Sequence, residues 1–164
     1  MRDFTLRRAR KEDIPSLMEL IMELAIFEKA PHEVSLSLEE FAEAGFGNNP
    51  VYTCYIAEMK GKIVGMALYY IRFSTWKGKR IYLEDLIVNQ DYRGLGIGQA
   101  LFFRCLEDAD QLGYHGMTWQ VLDWNEPAIK FYQRFGSSFD GEWLNSGLSE
   151  EKIKEIMDLE SKKK

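Results

Sequence analysis

A glycine stands at every second position of the segment Arg93-Gly94-Leu95-Gly96-Ile97-Gly98, between a strand-like run and a helical pattern. Glycine lets the backbone approach a ligand without obstruction by a Cβ. The helix that follows directs unpaired N–H groups and its positive dipole end into the same space, which is suited to phosphate. The spacing is not a dinucleotide-binding G-x-G-x-x-G, because Gln99 stands at the third glycine position, and no G-x-x-x-x-G-K follows. Taken alone, the segment predicts either a pyrophosphate-binding loop or a flexible turn.

Length and charge exclude several classes of protein. The chain has 164 residues, of which 46% are hydrophobic, so we expect one domain over residues 1–164. Its 26 acidic and 21 basic residues give a net charge of -5, which favours cationic small molecules or basic peptides over nucleic acid or anionic membrane. The longest apolar run, 63–71, is too short to cross a membrane.

No metal site, disulfide or export signal is expected. Cys54 and Cys105 are far apart and His32 and His115 are the two histidines, a pattern that fits neither a disulfide framework nor a zinc site. The N-terminal residues mix arginine with acids and lack an apolar signal segment. We therefore expect a soluble protein of a reducing, cytoplasmic compartment that holds no metal.

The periodicity of apolar residues predicts a mixed α+β order. A strand and two helices precede an antiparallel meander of three strands, and the glycine segment then connects the last of these to a helix and a further strand in a βαβ-like unit over residues 80–122. The predicted core spans 4–144, and a terminal helix with a lysine tail spans 149–164. The predicted strands are 4–8, 51–59, 62–74, 80–88, 116–122 and 139–144, and the predicted helices are 11–27, 37–45, 99–111, 127–135 and 149–159.

Several separated motifs resemble those of the GNAT superfamily of acetyl-CoA-dependent N-acetyltransferases. Arg93–Gly98 fits its R-x-x-G-x-G motif, at the required junction of a central strand and a helix. Tyr82-Leu83-Glu84-Asp85, and Trp124-Asn125-Glu126-Pro127 followed by Phe131-Tyr132, closely resemble the diamine and polyamine acetyltransferases of the spermidine/spermine type. The resemblance covers residues 4–144 and implies the GNAT fold, a mostly antiparallel central sheet flanked by helices.

The resemblance also implies acetyl-CoA as cosubstrate and two catalytic side chains. A primary amine with a pKa of about 10.4 is protonated at neutral pH, so the enzyme must bind a cation and remove a proton. Glu84 matches the family residue that does both, and Tyr132 matches the tyrosine that protonates the CoA sulfur. Strand alternation is expected to turn Asp85 away from Glu84. The residues expected to contact acetyl-CoA are Leu86, Ile87, Val88, Arg93, Gly94, Leu95, Gly96, Ile97, Gly98, Gln99, Asn125, Glu126, Pro127 and Tyr132.

Each of these side chains also has a plainer interpretation. Glu84 would then be a solvated strand acid, Tyr132 an aromatic packed on a helix face, and Asn125 the N-cap of the helix that contains Pro127. The N-cap role is compatible with a contact to acetyl-CoA.

The resemblance does not single out one amine as the acceptor of the acetyl group. Phe27 and Glu28 occupy positions where the polyamine enzymes carry Tyr-Glu along the amine channel, and Glu142 and Trp143 correspond imperfectly to an acid and a tryptophan that close it. We expect a small cationic amine, first a diamine or polyamine such as spermidine or spermine, and alternatively thialysine or a related amino acid. A protein or peptide amine and a non-catalytic acyl-CoA-binding module are the remaining hypotheses. The family commonly forms homodimers, so a homodimer is expected, with no nucleic acid or membrane partner.

Overall fold

A computed structural model describes residues 3–161, so the predicted lysine tail at 162–164 lies outside the described residues. The chain forms a five-stranded sheet in the order β1-β2-β3-β4-β5, antiparallel from β1 to β4, with β5 parallel to β4. This is the predicted α+β order, including the βαβ unit. The strands are β1 Thr5–Arg8, β2 Thr53–Met59, β3 Lys62–Ser74, β4 Gly78–Val88 and β5 Met117–Thr118, and the helices are α1 Ile14–Phe27, α2 Leu38–Phe46, α3 Ile97–Gln111, α4 Glu126–Gln133 and α5 Glu150–Ser161.

The chain divides into two compact units whose boundary lies between Gln120 and Val121. The first unit contains the whole sheet with α1, α2 and α3, and the second contains α4 and α5. The expectation of a single domain over residues 1–164 stays a prediction.

Two predicted strands differ from the structure. The strand predicted at 116–122 is reduced to the two residues of β5. No strand forms at 139–144, where the N–H of Glu142 instead donates to the Asp140 carboxylate at 3.0 Å in a turn. Phe139, Trp143 and Leu144 are all exposed, so this segment has no buried face of the kind that alternating strand residues require.

Helices α1 and α2 cover one face of the sheet. The apolar stripe of α1 recurs at three- and four-residue steps and packs on the sheet. The predicted capping box of α2 is present, since the N–H of Glu40 donates to Ser37 Oγ at 3.1 Å and the N–H of Ser37 donates to the Glu40 carboxylate at 3.0 Å. The buried residues of this face are Ile14, Leu17, Leu20, Phe41, Ala42, Cys54, Ile56, Met66, Leu68 and Ile87.

Helix α3 lies on the opposite face, where a buried carboxylate fixes its position. Asp108 accepts hydrogen bonds from the hydroxyl of Tyr55 in β2 at 2.8 Å and from that of Tyr69 in β3 at 2.6 Å. A buried carboxylate is costly unless its oxygens are paired, so these bonds favour a single placement of the helix on the sheet. At the other end of the helix, where the glycine segment ends, a Cβ on Gly98 would lie 3.5 Å from the Val88 side chain, so the N-terminus of α3 lies close to the end of β4.

Candidate active site

The C-terminal half of β4 has one free edge. β5 pairs only with the first half of β4, so among the described residues no strand covers Leu83–Val88 on that side. Successive residues of a strand direct their N–H and C=O groups to opposite sides, so residues two apart face the same neighbouring strand. The Ile87 carbonyl is directed towards β3, since a Cβ on Gly65 would lie 2.9 Å from it. Leu86 and Val88 therefore direct their backbone groups to the free edge, whereas those of Ile87 are used within the sheet.

The glycine segment is open where side chains would project. Gly94 and Gly96 both have φ of +79°, and no described heavy atom lies within 4 Å of a Cβ built on either residue. α3 begins directly after Gly96, and no side chain caps its first turn. The N–H groups and the positive dipole end of this helix are thus available to an anion. These features fit the pyrophosphate of a CoA ligand and favour that alternative over a merely flexible turn.

The side chains of the segment divide into two groups. Leu95 is exposed, whereas Ile97 is buried in the core, so only the backbone of Ile97 is free to meet a ligand. Arg93 turns back onto the protein: its Nε donates to the Val88 carbonyl at 3.0 Å, and its guanidinium carbon lies 5.7 Å from the centre of the Phe27 ring. Arg93 therefore joins the free edge of β4 to the C-terminal end of α1.

A contact that the sequence analysis missed holds the start of this loop. Glu23 in α1 accepts from Asn89 Nδ2 at 2.8 Å and from the N–H of Gln90 at 3.0 Å. Asn89 Oδ1 in turn accepts from the N–H of Asp91 at 3.2 Å. No sequence signal marks Glu23, because an acid on the polar side of an amphipathic helix is ordinary.

The strand that carries the predicted base contains a β-bulge. Leu83 pairs with Tyr69 and Asp85 pairs with Leu68, so Glu84 has no partner on β3. The extra residue restarts the alternation of side chains along β4. Asp85 therefore shares the face of its partner Leu68, which packs in the core beneath α1.

The expectation that Asp85 turns away from Glu84 is wrong. Glu84 follows Tyr82 by two residues, and the Tyr82 ring stacks on Tyr70, which is itself two residues from Leu68. Glu84 and Asp85 consequently lie on the same face of the sheet. The physical reason is the bulge, since one inserted residue reverses the phase of every side chain that follows it.

Two carboxylates act on a third, Asp85, at this end of the face. Burial, followed by the charges of Glu84 and Glu28, raises the pKa of Asp85 to about 6. Burial also raises the pKa of Glu28. Glu84 is exposed and makes no hydrogen bond or ion pair with another described residue. This group, which we call the acid cluster, can hold an organic cation and accept a proton from it.

The other predicted site residues belong to the second unit. Asn125 is the N-cap of α4, with its Oδ1 accepting from the N–H of Ala128 at 3.3 Å, and Pro127 lies in the first turn. Tyr132 is the one buried residue of α4, and its ring meets that of Phe131 edge-on at 5.1 Å. Glu126 forms an exposed ion pair with Lys130 at 3.0 Å.

Glu142 and Trp143 lie outside any helix or strand, and both are exposed. Their roles at the acceptor site stay predictions.

Within the described residues, no group of three or more His, Cys, Asp or Glu side chains is placed to hold a metal ion. No described helix combines the length and the apolar character that a membrane crossing needs.

The fold and several relatives identify the class of protein. An aminoglycoside acetyltransferase from an uncultured soil metagenomic sample has a similar fold, with a TM-score of 0.74 and 18% identity over 90% of this chain and 96% of its own. A thialysine N-epsilon-acetyltransferase of Mus musculus is 38% identical over 162 residues, covering 92% of this chain and 95% of that protein. A spermidine/spermine N(1)-acetyltransferase-like protein 1 of Homo sapiens is 37% identical over 141 residues, covering 82% of this chain and 20% of that protein.

The model of the acetyltransferase (GNAT) family matches residues 14–137, and the chain belongs to this family. It is an N-acetyltransferase that uses acetyl-CoA as its cosubstrate.

Proposed function

We propose that this enzyme transfers the acetyl group of acetyl-CoA to the side-chain amine of thialysine or a closely related lysine-like amino acid. The observation that carries the proposal is the acid cluster: Glu84 and Asp85 lie on the half of β4 that has the free backbone edge, and Glu28 lies at the C-terminal end of α1. The identity to a mouse protein named for thialysine, over nearly the full length of both chains, supports this choice of amine.

The acid cluster addresses the main chemical difficulty, which is deprotonation of the amine. Proton transfer from an amine with a pKa of about 10.4 to an ordinary glutamate costs about 8 kcal/mol. With Asp85 as the acceptor, whose pKa is raised to about 6, the cost falls to about 6 kcal/mol. Burial of the bound ammonium lowers its own pKa as well. We therefore assign Glu84 to bind the ammonium and, together with Asp85, to take its proton.

The free edge of β4 and the glycine segment are assigned to the binding of acetyl-CoA. Acetyl-CoA supplies the thioester acetyl group when it is bound. Backbone N–H groups of Gly94–Gln99 are assigned to its pyrophosphate, and Arg93 is proposed as a further contact of the same loop. The N–H groups of Leu86 and Val88 on the free edge and the Leu86 carbonyl are assigned to pantetheine and to the acetyl oxygen as negative charge develops there. Asn125, Glu126 and Pro127 are proposed as further contacts.

Tyr132 is proposed as the proton donor to the departing sulfur. The ammonium first gives one proton to the acid cluster, and the neutral amine attacks the thioester carbonyl. The new C–N bond then replaces the C–S bond, and the Tyr132 hydroxyl proton goes to the departing thiolate. The second proton lost by the acetylated nitrogen restores the Tyr132 hydroxyl, and the proton on the acid cluster is released to solvent. The products are the N-acetyl amino acid and CoA. No covalent acyl-enzyme is required, since the amine itself is the nucleophile.

A diamine or polyamine is the second candidate acceptor. The three carboxylates of the acid cluster would suit a substrate with more than one ammonium group, and the human relative is named for spermidine and spermine. Phe27, Glu28, Glu142 and Trp143 are proposed acceptor contacts in either case. The predicted homodimer is likewise retained as a proposal.

The test is CoA release from acetyl-CoA with thialysine, lysine, putrescine, spermidine, spermine and a basic peptide, with product masses recorded. Thialysine as the best acceptor is the expected result. A higher kcat/KM for a polyamine would support the second candidate, and a peptide as the best acceptor would contradict both. Glu84→Gln should lower kcat/KM for the amine by about 100-fold. The matched change Glu39→Gln, at an exposed acid in α2, should leave it unaltered.

A further inference from the structure

The exposed part of the face that carries Glu84 also bears two tyrosines and two arginines. Tyr70 pairs with Tyr82, and Arg72 pairs with Arg80, across β3 and β4. Residues paired directly across two strands share a face, so all four lie on the same side of the sheet as Glu84. The two tyrosine rings stack with centres 5.1 Å apart and an interplanar angle of 30°.

Among the described residues, the two arginines have no acidic partner. No carboxylate there forms an ion pair with either guanidinium. Arg80 Nε is buried and lacks a hydrogen-bond partner among the described residues. The Arg72 guanidinium carbon instead lies 5.7 Å from the centre of the Tyr82 ring. Like charges directly opposite each other destabilise a pair of strands, so an anionic group is the missing counterpart here.

Charge therefore changes sign along this one face. Burial raises the pKa of Tyr82, the charge of Glu84 raises it further, and Arg72 opposes both effects. The pKa of Tyr70 is raised first by burial and then by Glu84, and is lowered by the same arginine. The two stacked rings thus lie between an acidic end and a basic end.

We propose that Arg72, assisted by Arg80, binds the carboxylate of the acceptor amino acid, while Glu84 binds its side-chain ammonium and the Tyr70–Tyr82 pair contacts the chain between them. The inference rests on the proposed function and adds the residues that select an amino acid over a diamine. A thioether or methylene chain makes favourable contacts with aromatic rings, which suits the middle of this face.

The dimensions agree with a lysine-like substrate. The four residue-to-residue steps from Arg80 to Glu84, at about 3.3 Å each, separate these two residues along the strand by roughly 13 Å. An extended lysine-like molecule spans roughly 7.5 Å from its side-chain nitrogen to its carboxylate carbon. A charge-assisted hydrogen bond of about 2.8 Å at each end extends its reach to the same roughly 13 Å.

A diamine lacks the carboxylate that this arrangement requires. Its first ammonium would be held by Glu84 as before, but its second would approach Arg72 and be repelled. Arg72 should therefore favour an amino acid over a diamine in two ways, because it attracts the carboxylate of the first and repels the second ammonium of the other.

The experiment compares each amino acid with its decarboxylated counterpart, that is, thialysine with bis(2-aminoethyl) sulfide and lysine with cadaverine. kcat/KM is measured for the wild type, Arg72→Met, Arg72→Lys and the control Lys79→Met, which removes a positive charge from the opposite face of the sheet, on the neighbouring strand β4. The wild type should prefer the amino acids. Arg72→Met should lower kcat/KM for them by about 10- to 100-fold and should leave the decarboxylated amines unchanged or improved. Arg72→Lys should retain part of the preference, and Lys79→Met all of it.

Two failures are distinguishable. If the wild type acetylates thialysine but Arg72→Met keeps the same ratio between acid and decarboxylated amine, the role of Arg72 is overturned while the proposed function stands. An equal loss on both substrates, with thermal unfolding also shifted, would likewise overturn it in favour of a structural role. If the wild type prefers the decarboxylated amines or accepts neither class, the proposed function fails at once, before any variant is considered.

Discussion

The carboxylate of Glu23 in the first helix accepts hydrogen bonds from the Asn89 side-chain amide at 2.8 Å and from the adjacent Gln90 N–H at 3.0 Å. These two bonds fix the first residues of the loop between β4 and α3. The same loop ends in the open glycine segment. The helix that also contributes Phe27 therefore positions the loop assigned to acetyl-CoA.

Glu23→Gln should weaken acetyl-CoA binding more than it slows turnover. The side-chain oxygen of the glutamine can still accept one of the two hydrogen bonds, but its NH2 group is a donor and cannot accept the other. The loop therefore loses a charge-assisted hydrogen bond of about 2 kcal/mol. We expect KM for acetyl-CoA to rise by about 10- to 30-fold with a smaller change in kcat. Steady-state kinetics with acetyl-CoA varied at saturating amine checks this. Glu19→Gln, one turn earlier on α1 and exposed, is the matched control, and equal kinetics in the two variants would contradict the role.

Gly96→Ala separates backbone strain from ligand access. Both Gly96, before α3, and Gly113, after it, have positive φ and open space around a Cβ, so alanine at either site should cost about 1 kcal/mol of stability through the left-handed backbone alone. Gly96→Ala alone should also raise KM for acetyl-CoA. Comparison of denaturant unfolding and KM in the two variants checks this. A rise in KM of similar size in Gly113→Ala would show that strain, and not access, is responsible.

Stability should depend on pH through Asp85. Since the pKa of its carboxyl is raised to about 6, the folded state keeps a proton that the unfolded state has lost, and the associated stability is present below about pH 4 and is lost as the pH rises through about 6. Asp85→Asn removes this charge. The variant should therefore gain stability relative to the wild type as the pH increases, by at most about 3 kcal/mol near neutrality.

Thermal unfolding of Asp85→Asn and wild type between about pH 4 and about pH 8 measures that difference. Asp110→Asn, at an exposed acid near the end of α3, serves as the control and should show no comparable rise. If the difference in stability between Asp85→Asn and the wild type does not change with pH over this range, the pKa of Asp85 is not raised.

Tyr132→Phe should lower kcat by about 10- to 100-fold, because the departing sulfur loses its proposed proton donor. Phenylalanine keeps the buried ring that meets Phe131, and thermal unfolding of the variant separates an effect on stability from the effect on kcat. Tyr114→Phe, at a loop tyrosine outside the proposed site, should leave kcat unaltered. Wild-type turnover in Tyr132→Phe across the pH range would exclude the assigned role.

Much of the fold could be predicted because its signals are local. Alternation in β2 and β3, the three- and four-residue steps of α1 and the Ser37-Glu40 capping box each depend on neighbours within one turn or one hairpin. The prediction of a strand at 139–144 was wrong, although the apolar and aromatic residues of this segment are of the types that strands favour. Composition does not reveal whether such residues have a sheet edge to pair with.

In the candidate site too, the features that depend on local sequence could be predicted, and those that depend on distant residues could not. The glycine pattern predicted an open phosphate-binding backbone because glycine acts through its own φ angle, which no distant residue needs to supply. The placement of Asp85 beside Glu84 escaped the sequence analysis because a bulge is defined only by the register between two strands.

The sequence by itself determined the family, the order of the elements and the open glycine turn before α3, since each is encoded by residue types at short, fixed spacings. The tertiary structure alone decided that Glu23 holds a loop far along the chain, that the acid cluster forms, and that Arg72 and Arg80 oppose each other beyond two stacked tyrosines. These relationships depend on strand register and on helix placement, which are set by packing between residues distant in the sequence.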